Sequence, residues 1–113
     1  MTPHAEWFET GSYRRLDPPR RVRLGNDSFC DAVGTGIVRL SCKTKRGPCD
    51  VALARSLHVP TFGITLVSVH RLAKKGYDSL FHGDECVVRG QDRHRVMEAV
   101  HQNGLYHIAC TPL

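Results

Sequence analysis

The sequence predicts a small, mainly β domain: a partial barrel of short strands with one short helix. Three observations predict it. Apolar residues recur with period 2 in several short runs, clusters of Gly, Asn, Asp and Pro separate those runs at hairpin spacing, and only one segment carries a helical period. The 113 residues suffice for one domain and are short for two. A hydrophobic content of 41% with 24% charged residues excludes a disordered tail, a collagen-like repeat or a coiled coil.

Residues 1–20 carry Pro3, Pro18, Pro19, Trp7, Phe8 and Gly11 with neither a helical nor a strand period, and read as an irregular lead-in. Residues 21–113 then form a single barrel-like domain. Val22 and Leu24 alternate with Arg21 and Arg23, so a strand enters a turn at Gly25-Asn26-Asp27-Ser28, where side chains tolerate positive φ and bond locally. The return strand holds Phe29, Val33, Ile37, Val38 and Leu40. It is interrupted by Gly34-Thr35-Gly36, whose missing Cβ atoms allow a bulge, a bend or the close approach of another backbone. Lys43 to Pro48 makes the next turn.

Val51, Leu53, Leu57 and Val59 share one parity of the following strand, spoiled only by Arg55, and Pro60 ends it for want of an N–H. The helix follows, with Thr65 as N-cap, Leu66, Val69, Leu72 and Ala73 on one side, and Gly76 as its stop. Tyr77 to Phe81 and Cys86 to Arg89 flank His82-Gly83-Asp84-Glu85 as a second hairpin. Arg93 to Met97 adds a strand, and Asn103-Gly104 turns the chain into a closing strand, Leu105 to Ile108.

Sixteen Lys and Arg against eleven Asp and Glu give +5, enough to attract polyanions. Arg14, Arg15, Arg20, Arg21 and Arg23 cluster early, and Lys43, Lys45 and Arg46 share one turn. With aromatics at only 7% and no zinc knuckle, the nucleic-acid binding expected from these clusters is weak and unspecific. No apolar run approaches the ~18 residues of a membrane span, and no signal-peptide gradient opens the chain, so a soluble, cytoplasmic protein is expected.

Five cysteines, an odd number with no C-x-x-C pair, point to reduced thiols rather than a disulfide framework. His82, Cys86, His94 and His101 could in principle hold zinc, but their gaps fit no common pattern, so neither a metal nor a small-molecule cofactor is expected. No P-loop, G-x-S-x-G elbow or H-E-x-x-H is present.

Five segments fall in a characteristic order: Val22-Arg23-Leu24-Gly25-Asn26, Val33-Gly34-Thr35-Gly36-Ile37-Val38, Leu57-His58-Val59-Pro60, Leu66 to Leu72 with Gly76, and Gly104-Leu105-Tyr106. In that order the chain resembles the copia-type retrotransposon Pol polyprotein, over its retropepsin-like aspartic protease β-barrel and, at residues 103–113, the start of the pre-integrase segment. Met1-Thr2-Pro3-His4 with Trp7-Phe8 and Tyr13 resembles the stretch that follows the family's catalytic D-S-G-A-S loop.

The resemblance implies a dimeric aspartic protease in which each chain donates one Asp from a D-[ST]-G loop, the two carboxylates sharing a proton to activate water. Gly34, Thr35 and Gly36 would then be flap-like. Yet Asp17, Asp27, Asp31, Asp50, Asp78, Asp84 and Asp92 all lack a following Ser/Thr-Gly. Trp7-Phe8-Glu9-Thr10-Gly11-Ser12 mimics the loop with Glu for Asp, but a longer side chain displaces the carboxylate beyond what dyad geometry tolerates. No catalytic residue is therefore assigned. The expectation is a Pol relic or fragment without peptidase activity of its own, prone to self-association through sheet edges. The alternatives are a basic module binding RNA or DNA, or an active protease if an upstream in-frame segment supplies the Asp.

Overall fold

A computed structural model describes residues 1–113. Strands take up 58% of the chain beside one short helix, so the fold is mainly β, and its sheets do not close. In chain order the elements are β1 (Arg14–Arg23), β2 (Phe29–Thr44), β3 (Gly47–His58), α1 (Val69–Lys74), β4 (Asp78–His82), β5 (Glu85–Arg89), β6 (Arg95–Gln102), β7 (Leu105–Ile108) and β8 (Cys110–Pro112). No helix is long and apolar enough to cross a membrane. The residues gather into two compact units, 1–39 with 52–67, and 40–51 with 68–113.

In the first unit β1 runs antiparallel to β2, with Arg14 opposite Thr35, Arg15 opposite Gly34, and Arg20 to Arg23 opposite Ala32 to Phe29. The register breaks between Arg15 and Arg20. Pro18 and Pro19 lie there without N–H groups for a ladder, which is why the strand bulges rather than ends. The alternation beginning at Arg21 therefore marks only the second half of β1, and the strand reaches back to Arg14.

The lead-in has no period, but it is firmly held. The Thr2 N–H donates to the Leu57 carbonyl and the Val59 N–H to the Thr2 carbonyl, both at 2.9 Å, and the Glu9 N–H donates to the Ile37 carbonyl at 2.7 Å. Thr2, Phe8, Ala32, Val38 and Val59 are buried as a result. Arg55 interrupts the apolar parity of β3 because its backbone is left-handed, φ 55°, which turns it to solvent.

In the second unit the β2–β3 hairpin tip pairs with β8, Leu40 opposite Pro112 and Cys42 opposite Cys110. A separate meander runs β4-β5-β6-β7. Its turn at Asn103-Gly104 has φ of 51° and 82°, the pair of positive values that a two-residue hairpin of matching twist requires. One face of this meander supplies Cys86, Val88, Met97 and Ala99 to a core completed by Leu40, Cys42, Val51 and Leu72.

The helix starts later than its periodicity suggests. Ser68, not Thr65, caps it, its hydroxyl accepting from the Arg71 N–H at 3.2 Å. Thr65 instead bonds the Thr2 hydroxyl at 2.8 Å, and Leu66 exchanges hydrogen bonds with Met1, which holds that stretch extended. At the other end Gly76, φ 87°, completes a Schellman stop: its N–H reaches the Ala73 carbonyl and the Tyr77 N–H reaches that of Leu72.

Met97 is fully buried whereas Val100, on the same strand, is 52% exposed. Met97→Ala should cost about 2–5 kcal/mol in urea unfolding by the cavity it leaves. Val100→Ala should stay within about 0.5 kcal/mol of the parent.

Candidate functional site

Gly34, Thr35 and Gly36 lie within β2, and both glycines are buried. Neither has positive φ, so room rather than backbone freedom explains them. A Cβ on Gly34 would overlap the Tyr13 hydroxyl and the ring carbon that bears it, and one on Gly36 would stand 3.0 Å from both Phe8 Cδ1 and the Ser12 carbonyl oxygen. Of the roles open to a glycine pair in a strand, this is the close approach of another segment.

What lies against them is an ordered aromatic group. Tyr13 packs edge-on to Phe8 with ring centres 5.2 Å apart, and both rings meet His58. The Tyr13 hydroxyl and His58 Nδ1 share a hydrogen bond at 2.8 Å. Ser12 ties the segment down by donating its hydroxyl to the Glu9 carbonyl at 2.7 Å and accepting from the Ile37 N–H at 3.1 Å.

Glu9-Thr10-Gly11-Ser12 is a tight turn, closed by the Ser12 N–H on the Glu9 carbonyl at 3.0 Å with Gly11 at φ 83°. The Glu9 carboxylate pairs with Arg39 at 2.8 Å. The aspartates are all exposed. Asp27 pairs with Arg23 at 2.6 Å, Asp92 with His94 at 2.8 Å, and Asp84 lies 3.8 Å from His101. The His94 hydrogen bond holds the Asp92 carboxyl below the ordinary range. These acids are paired with bases rather than with one another.

The zinc combination does not assemble. Register pairs His82 with Glu85 and Phe81 with Cys86, so His82 and Cys86 point to opposite faces, and no three metal-ligating groups converge. Cysteines do meet elsewhere: burial, reinforced by Cys110, pushes the Cys42 thiol up to about 12, and burial raises Cys110 and Cys86 as well. Such thiols are poor nucleophiles near neutral pH.

The early arginines line β1 as exposed side chains, with Arg21 stacked 4.3 Å above the Phe29 ring. A basic group that the linear sequence did not reveal is Arg89, Arg93 and Arg95, which share a groove with Arg46. The signal was the strand register, which sets Arg89 opposite Arg95, and no spacing rule encodes that.

Gly34→Ala should destabilise by about 1–3 kcal/mol, because the Tyr13 ring must leave its place. The same change in a Tyr13→Ala background should cost less, a coupling readable from the double-mutant cycle in urea. With the Cys42 thiol raised above its unfolded value, the folded chain holds its proton more tightly. Stability should therefore fall as pH climbs from about 9 toward 12, and Cys42 should be alkylated last at pH near 8 in peptide mapping.

Comparison with known proteins adds one finding. No curated protein and no solved structure matches the chain. The sequence model described as Pol polyprotein, beta-barrel domain, matches residues 1–77, which contain the whole of the first unit with its paired glycines and aromatic group. With more than half of its length so matched and a mainly β fold beneath the match, the chain belongs to the Pol polyprotein beta-barrel domain family.

Proposed function

We propose that this member of the family is the copia-type, retropepsin-like part of a Pol polyprotein, and that the 113 residues cleave no peptide by themselves. The observation that carries this reading is the family match over a segment whose aspartates are exposed and lack the Ser/Thr-Gly context of a dyad loop. Peptide hydrolysis of that type needs two carboxylates close enough to share one proton and hold one water. Asp27 and Glu9 are instead each paired with an arginine. Gly34, Thr35 and Gly36 would serve as flap-like backbone against a substrate strand, with Tyr13 and Phe8 as the side chains that must shift to expose them. An active enzyme would need its aspartate from outside these residues.

The same reading includes self-association. β7 is a sheet edge, and Leu105 and Tyr106 on it are 44% and 37% exposed, a surface open to strand addition. Sedimentation should show a concentration-dependent dimer that Leu105→Lys weakens, and a monomer at every concentration rejects this route.

Incubated at acid and neutral pH with a library of unstructured peptides, the chain should give no cleavage sensitive to a pepstatin-type inhibitor. Inhibitor-sensitive turnover that disappears on changing a single Asp to Asn would overturn the reading.

A further inference from the structure

The second unit carries a feature that the protease-like reading does not use. Alternation along β4 and β5 puts Leu80, His82, Glu85, Val87 and Arg89 on one face of the meander, opposite the face that builds the core. There they line a groove of about 360 Å³ together with Arg46 from the β2–β3 tip, Arg93 from the β5–β6 turn and Arg95 from β6. Four guanidiniums, from the β2–β3 tip, β5, the β5–β6 turn and β6, thus line one hollow, and Glu85 is the single carboxylate in its lining.

Internal pairing does not account for this charge. Arg95 shares Glu98 at 3.2 Å, but no ion pair forms to Arg46, Arg89 or Arg93. Asp78 lies opposite Arg89 in the register without bonding it, and Asp92, beside Arg93, is turned to His94. The Arg89 Nε is buried with no hydrogen-bond partner. Buried donors are ordinarily satisfied, so the head of this groove-lining side chain is left without an internal partner that would compete with a ligand.

The chemistry selects the ligand. A planar guanidinium offers paired N–H groups that match the oxygens of a phosphate, and several in a partly enclosed hollow focus positive potential there. Four guanidiniums are more than one terminal phosphate needs, and a lining that takes them from the hairpin tip, β5, the turn and β6 suits successive phosphates of a chain. The floor between them is apolar, formed by the cross-strand pair Leu80 and Val87, with His82 at its end. With no Phe, Tyr or Trp in the lining for bases to stack on, the contact rests on the phosphates, with Leu80 and Val87 as an apolar surface beneath the sugars.

We infer that this groove binds the phosphodiester backbone of a single-stranded nucleic acid, without sequence preference. It is independent of the early arginines on β1 and of the protease-like reading.

The test is fluorescence anisotropy of the full chain with a labelled single-stranded oligonucleotide of about 12 nucleotides, a length on the scale of one small binding domain. Arg46→Ala/Arg93→Ala, both at exposed turn positions, should weaken binding at low salt about tenfold or more. It should also flatten the log–log salt dependence by roughly 1.4, the share of two phosphate contacts on a single strand. Arg89→Lys, which keeps the charge but loses the Nε donor, should weaken binding as well, with an unchanged circular dichroism spectrum. Arg20→Ala/Arg21→Ala on β1 should bind as the parent does.

Equal losses from the β1 pair and the groove pair would mean diffuse charge attraction and overturn the proposal. So would an absence of binding at low salt. Competition by inorganic triphosphate as effective as the oligonucleotide, phosphate for phosphate, would reassign the groove to a small anion. Equal binding of polyglutamate would reject the phosphate chemistry altogether.

Discussion

The first unit depends on one close approach. A segment with no regular period, residues 1 to 13, lies against β2 and β3 near enough to exchange main-chain hydrogen bonds at Thr2 and Glu9. That proximity is possible because β2 has no Cβ at Gly34 or Gly36 where Tyr13, Phe8 and Ser12 come down. The bonds satisfy backbone groups that would otherwise lie exposed along a sheet, and the packing buries Phe8 and Thr2. Remove the space and the aromatic side chains have nowhere to go. Thr65 and Leu66 are drawn into the same arrangement through Thr2 and Met1, which is also why the helix waits until Ser68.

Much of this was legible in the sequence, and the legible parts share a cause. The turns at Gly25 to Ser28, His82 to Glu85 and Asn103-Gly104 follow from local chemistry, since positive φ at Asp27, Gly83, Asn103 and Gly104 needs only the residue itself. The glycine pair marked a position in β2 where something could come close, but that Tyr13, Phe8 and Ser12 are what comes there is set by the fold. What was not legible depends on partners far along the chain. The first half of β1 is recruited by β2 across a proline-bearing bulge, the lead-in is fixed by β2 and β3, and β8 exists only because Cys110 to Pro112 find Leu40 to Cys42. The break in the parity of β3 at Arg55 could be seen, but its left-handed backbone could not.

The candidate sites divide along the same line. Motif reading ruled out an aspartate loop from neighbours in the sequence, and the folded chain adds that Glu9, Asp27 and Asp92 are held by Arg39, Arg23 and His94. It also brought out the early arginines, which cluster within residues 14–23. Arg89, Arg93 and Arg95 are also close in sequence, but that they share a hollow with Arg46, some forty residues earlier, is set by the fold and not by any linear pattern. The chain thus carries two unrelated surfaces: a glycine-bearing strand in one unit and a cationic hollow in the other.

The central claim, that the unpatterned N-terminal stretch is an integral layer on β2 and β3, is most directly tested by amide hydrogen exchange resolved by residue. The Thr2, Glu9 and Val59 amides, each with a main-chain acceptor, should exchange as slowly as the amides in the centre of β2. If Thr2 and Glu9 exchange at the rate of an unstructured peptide while β2 remains protected, the stretch is not part of the fold and the explanation given for Gly34 and Gly36 fails with it.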